Sequence, residues 1–149
     1  MATNTAGTVA RNNYDQDIGY LRKRVTFNGA AASNGLPTVA YTNTTINLGV
    51  LPAGATILAP ISGVDVLTVF NAGTNNNLSI GITGTTAKYA SASSLLTAGF
   101  VAMAVAVGHT VDVDTPLIAT LNITGTAPTT GDIVIVIAFT KGNDFNNAA

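Results

Sequence analysis

Short runs of β-branched and apolar residues alternate with clusters of Gly, Asn, Thr and Pro along most of the chain. Such runs read as strands separated by turns. Residues 20–28 (YLRKRVTFN) form a first candidate strand with basic residues in its middle, and 28–37 form a loop of small and polar residues. In the run 39–48, Thr44, Ile46 and Leu48 alternate with Thr45 and Asn47, the period of a half-buried strand. Leu51-Pro52-Ala53-Gly54 is a turn. Residues 55–70 are strand-like but interrupted by Pro60 and Gly63, which predicts two strands or one strand with a bulge. Residues 71–77 (NAGTNNN) make a turn and 78–83 a short strand. Residues 87–97 (AKYASASSLLT) carry Ala and Leu without Pro or Gly and predict one short helix, ended by Gly99. Strands are expected again over 100–107, 111–114, 117–124 and 132–140.

About eight closely spaced strands argue for an all-β fold, a single β-sandwich. The jelly roll is the first reading and the immunoglobulin-like sandwich the alternative. Residues 1–19 hold almost nothing apolar to bury and read as an extended N-terminal docking arm; 20–141 form the sandwich and 142–149 a polar tail. Two strands do not alternate. Ile133 to Phe139 and Phe100 to Val107 are apolar at nearly every position, so both faces of each need cover. The helix is expected to cover one patch and a second subunit the rest, because bare uncharged strands aggregate.

Composition sharpens this picture. Charged residues are 9% of the 149, against about 25% in an ordinary soluble domain, and Glu and Trp are absent. The polar surface is therefore built of Thr, Asn, Ser and Gly, which suits a protein in permanent contact with others. With no Cys, disulfides and thiolate metal sites are excluded. A net charge of -1 gives no overall attraction to nucleic acid or membrane. No apolar run reaches the roughly 18 residues of a membrane helix, and the polar first fourteen residues lack a signal peptide's apolar stretch. The protein is expected to be made in the cytoplasm and to bind neither membrane nor nucleic acid.

Catalytic constellations are missing. The single histidine, His109, sits in a predicted turn, and no G-x-S-x-G elbow or P-loop occurs. Asp112 and Asp114 point to one side of a strand, but a hard cation wants about six oxygens and no further acid is near; they read as a solvated edge. No enzyme activity, cofactor or metal is expected. The one charge cluster is Arg22-Lys23-Arg24, with Arg11 upstream. Adjacent charges on a strand alternate faces, and no aromatic platform interleaves them, which argues against nucleic acid. Protection of an edge strand and docking to an acidic partner are the two readings left. The candidate partner-binding residues are Arg11, Tyr14, Tyr20, Arg22, Lys23 and Arg24.

The stretch 48–84 (LGVLPAGATILAPISGVDVLTVFNAGTNNNLSIGITG) combines an LGxLPAGA turn, an alternating strand, FNxGT and an LxIG strand. With the closing TTGDIVIVIAF segment, it resembles small head decoration (cement) and other virion structural proteins of tailed bacteriophages. The resemblance implies a protein on the outer capsid surface of the virion that binds the major capsid protein and itself, as a homotrimer first or a dimer. A phage fibre, neck or carbohydrate-binding host-recognition sandwich is the alternative; against the last, the chain has no Trp to offer a sugar.

Overall fold

The computed structural model describes residues 18–26, 44–104 and 109–140. Ten strands follow in order: β1 (Ile18–Thr26), β2 (Thr44–Leu51), β3 (Thr56–Ile57), β4 (Gly63–Thr68), β5 (Asn75–Ile82), β6 (Thr85–Ser94), β7 (Gly99–Ala102), β8 (His109–Thr110), β9 (Thr115–Thr124) and β10 (Asp132–Thr140). They build two antiparallel sheets, an all-β sandwich. The first holds β1, β10, β4, β3, β7 and β8, and the second runs β2-β9-β5-β6.

The expected helix over 87–97 is not formed. Thr85–Ser94 is instead the edge strand β6, paired to β5 through a turn at Gly84. Its buried residues are Tyr89 and Ala90, with Leu95 just beyond. These positions do not fall on one helical stripe, so a helix would have exposed part of them. About eleven residues is also too short for a helix to hold without such packing. The strand tolerates the sequence by shifting register twice against β5, with Ala92 at a φ of 51°.

β2 shows how a bulge resets the alternation. Ile46 and Leu48 point inward as their spacing predicts, but the next inward residue is Leu51, fully buried, while Val50 is 51% exposed. The pairing with β9 slips between Asn47 and Gly49. Gly49 takes a φ of +127°, which only glycine adopts readily, and its N–H donates to Asn47 Oδ1 at 2.9 Å.

The core lies between the sheets. Val25, Val64, Val66, Ile133, Ile135 and Ile137 from one sheet face Ile46, Leu78, Ile80, Leu117, Ala119 and Leu121 from the other. β10 is central, with β1 along one edge. Its other edge is shared: Asp132 to Val136 pair with β4, and Phe139 and Thr140 with β3. Between these two partners the chain makes a single 3₁₀ turn, Ala59–Ile61, where Pro60 sits. The interruption expected at Pro60 and Gly63 is thus a break in the rank beside β10.

That break would orphan backbone groups in a buried strand, a costly state. Ser62, fully buried, closes it. Its hydroxyl accepts the Ala138 N–H at 2.9 Å and donates to the Leu58 carbonyl at 2.8 Å. The Leu58 N–H in turn donates to the Ala138 carbonyl at 2.9 Å.

The outward face of β10 is covered more than the sequence reading allowed for. Val134 and Ala138 are 5% and 0% exposed within the single chain. Val134 lies in register between Arg24 and Asp65, and Ala138 lies beside Tyr20. Both positions are thus closed within the single chain, where the sequence predicts cover from a helix and a second subunit. Ile18 and Gly19, assigned to the arm, pair with Thr140 and Phe139 and belong to the sandwich. The rest of the arm, the loop 28–37, the tail 142–149 and positions 105–107 lie outside the described residues.

Ser62→Ala should leave the Ala138 N–H unsatisfied in a dry site and destabilise the fold by about 1–3 kcal/mol. Urea unfolding measures the loss. Hydrogen exchange should speed up at Ala138 more than at Ile135, whose ladder does not involve Ser62.

Candidate docking face

Two sheets give the sandwich two outer faces, and the sequence makes them unlike. β2, β5 and β9 contain no charged residue; Lys88 on β6 is the one charge in the second sheet's strands. The first sheet carries Arg22, Lys23, Arg24, Asp65 and Asp132. It also carries Ile18, Tyr20, Leu67 and Phe100, which are 47%, 58%, 49% and 49% exposed.

Pairing places these side chains. Along β1 the residues Ile18, Tyr20, Arg22 and Arg24 are exposed, and the intervening Leu21 and Val25 face the core. Tyr20, Arg22 and Arg24 stand opposite Ala138, Val136 and Val134 of β10. On its other side Val134 pairs with Asp65, and Asp65 pairs with Phe100. Leu67 joins the same face through a bulge against Asp132, which turns both Leu67 and Thr68 outward. Gly63, opposite Val136, has no side chain. A Cβ there would strike the Val101 carbonyl and come within 3.0 Å of the tip of the Phe100 ring. Phe100 therefore leans over Gly63 towards the middle of the sheet.

The basic triplet is divided by this geometry. Lys23 lies on the opposite side of the strand from its neighbours and is half-buried. Arg24 is engaged: its Nε donates to Asp132 Oδ1 at 3.0 Å and its Nη2 donates to Oδ2, a two-pronged ion pair. Thr26 Oγ1 adds a bond to the same carboxylate at 3.4 Å. Arg22 is exposed and makes no ion pair among the described residues. Tyr20 sits two residues before it on the same face. Arg11 and Tyr14 lie outside the described residues, as does the His109 side chain. The structure thus gathers Tyr20, Arg22 and Arg24 and separates Lys23 from them. Asp65, Phe100 and Asp132, which complete the face, were not singled out from sequence. They lie far along the chain from β1, and only strand pairing brings them near; an isolated Asp opening a wholly apolar strand was the available signal.

Asp114 has a structural task. Its Oδ1 accepts the Ala53 N–H at 2.9 Å, while the Gly54 N–H donates to the Val111 carbonyl at 2.7 Å. These bonds hold the Leu51–Ala55 turn against the loop before β9. The FNxGT segment is held in the same way. Asn71 Oδ1 accepts the Thr129 N–H at 2.8 Å, and Asn76 bonds the Ala72 backbone in both directions at 2.9 Å. A shallow apolar hollow of about 280 Å³ opens between Ile82, Thr83 and the segment Val113 to Pro116. Among the described residues its one ionisable group is Asp114.

No protein family matches the sequence, and no curated protein does. The fold has a solved counterpart. A chain of the cyanophage Pam1 capsid asymmetric unit superposes with a TM-score of 0.59, over 93% of this chain and 96% of that one, at 21% identity. The likeness is one of fold.

The ion pair sets an acid sensitivity. The hydrogen bond from Arg24 leads in holding the Asp132 carboxyl below its ordinary value of 3.8, partial burial opposing it. A depressed carboxylate contributes stability above its unfolded value, and the contribution is lost as pH falls through the lower folded value. The protection factors of the β1 amides, taken against their pH-dependent intrinsic exchange rates, should therefore fall once pH drops below about 4. Asp132→Asn should raise exchange at neutral pH and flatten that acid step. An unaltered step in the variant would assign it to another group.

Proposed function

We propose that this chain is a non-enzymatic structural protein of a tailed-phage virion. It decorates and stabilises the capsid from the outer surface by binding the major capsid protein and copies of itself. The observation that carries this reading is the fold likeness to a chain of a phage capsid asymmetric unit. The two chains match almost end to end, so a shared turn or hairpin does not account for it. The short motifs between Leu48 and Gly84 point the same way. The face of Tyr20, Arg22 and Phe100 supplies exposed apolar area with charges beside it, as a docking surface needs.

Strand order supports the jelly-roll reading over the immunoglobulin-like one. If β3 with β4, and β7 with β8, are each counted as one interrupted rank, the order is β1, β10, β4/β3, β7/β8 in one sheet and β2, β9, β5, β6 in the other. The first and last strands are neighbours. In an immunoglobulin constant-type sandwich the first and last strands belong to different sheets.

Many modest contacts suit a shell. Each copy adds one small interface, and linkage through the lattice makes the sum strong. In this reading the arm before β1 reaches the major capsid protein.

Mass spectrometry of virions purified from a phage carrying this gene should find the chain at a copy number comparable with the capsid subunits. Its absence from virions, with the protein abundant in the lysate, would end the virion reading. Truncation of residues 1–17 stops short of β1 and should leave thermal unfolding of the free domain nearly unchanged while sharply reducing co-sedimentation with capsids. Full occupancy by the truncated chain would move the anchor to the sandwich itself.

A further inference from the structure

We infer that the outer face of the first sheet is a twofold contact between copies of this chain, in which Arg22 of each copy engages Asp65 and Phe100 of the other. The inference rests on the proposed life of the chain in an assembly, and it names the partner of one face. Arg22 and Asp65 are the charges on this face that pair with nothing among the described residues; Arg24 and Asp132 neutralise each other. Arg22 stands on β1 opposite Val136, and Asp65 on β4 opposite Val134, so β10 runs between them. Strand spacing separates the two by about 10 Å across the sheet, plus two residues along it. One side of the face is therefore basic and the other acidic and aromatic.

Such a face is complementary to itself in one orientation. A twofold axis lying between two copies and parallel to the strands reverses the order of the ranks. The β1 side of one copy then covers the β4 and β7 side of the other, and the arrangement repeats by symmetry. Arg22 comes down at the level of Gly63, where the Phe100 ring leans, and Asp65 lies two residues along the same strand, about 7 Å away and within the reach of an arginine side chain, so the guanidinium meets an aromatic face and a carboxylate together. Tyr20 comes opposite the Ala59–Ile61 turn, whose Ile61 is 46% exposed. Val136, half-buried within the chain, is closed over. An axis across the strands would instead set β1 on β1 and Arg22 on Arg22, which like charge disfavours. The charges thus favour a dimer at this face over the trimer expected from sequence.

The face is small. Four ranks at about 4.8 Å and five residues at about 3.3 Å span only about 19 by 17 Å. An interface of this size sits below the standard class and gives a weak dimer in free solution, in the micromolar range or above. High local concentration on a shell would populate it.

Sedimentation velocity on the isolated chain, from micromolar to near-millimolar concentration, tests this without any capsid. Wild type should show a concentration-dependent dimer that weakens with salt. Arg22→Asp and Asp65→Arg should each weaken it by about tenfold or more, with circular dichroism unchanged, since Arg22 is exposed and Asp65, half-buried, points to the outer face. Mixing the two single variants in equal amounts should restore association, because the twofold then opposes Asp with Arg at both contacts. A wild type that stays monomeric throughout, single variants that dimerise as wild type does, or a mixture that fails to recover would each overturn the proposal. Virion incorporation is measured separately, so a failure here leaves that reading standing on its own test.

Discussion

A strand hydrogen-bonded on both edges, with both faces nearly closed, is the element on which the rest of this molecule depends. β10 meets β1 along its full length on one side and two successive partners on the other. Every backbone group left unpaired at the changeover would be buried without water. Ser62 resolves this with one hydroxyl acting as acceptor and donor. The rank beside β10 can therefore bend through Pro60 while the central strand stays straight. Because β3 and β4 are then offset, the chain can place β8 beside one and β7 beside the other.

Legibility from sequence followed how local each cause is. The bounds of β10 are readable because Gly131 precedes an unbroken β-branched run. The inward residues Ile46 and Leu48 are readable from their period. Leu51 is not, since its inward turn depends on a bulge at Gly49 that only the pairing with β9 reveals. Residues 87–97 predict a helix because Ala and Leu report intrinsic propensity, whereas the strand at 85–94 is decided by β5 and a turn at Gly84. The covering of Val134 was misassigned for a similar reason. An apolar residue on an outward face looks bare until Arg24 and Asp65 are seen on either side of it.

The docking face shows the same division. That Arg22, Lys23 and Arg24 alternate faces is a property of any strand and was legible. That Arg24 is neutralised by a carboxylate 108 residues away was not. The pairing changes the meaning of the triplet: three charges become one engaged, one turned to the sandwich side, and Arg22 without an ion pair among the described residues. The electrostatics of the face then rest on Arg22 and Asp65, not on the count of basic residues. A net charge near zero conceals this, because the two signs are sorted to opposite sides of one sheet.

The motifs that carried the resemblance hold the sandwich frame together. In the Leu51–Ala55 turn, Ala53 and Gly54 are bonded to the loop before β9, and Asn71 in FNxGT is bonded to the loop before β10. Each ties a connection to a distant one, and each buries an anchor: Leu51 and Ala55 in the first, Phe70 in the second. Such residues specify where strands begin and which loops meet. A sequence can therefore share these turns with other chains of the same fold while its outer faces diverge freely. At 21% identity the solved capsid chain agrees in the frame. The surface this protein presents is then carried by the few residues its frame leaves facing outward: a second sheet almost without charge, and a first sheet on which Tyr20, Arg22, Asp65 and Phe100 are held in fixed register by β10.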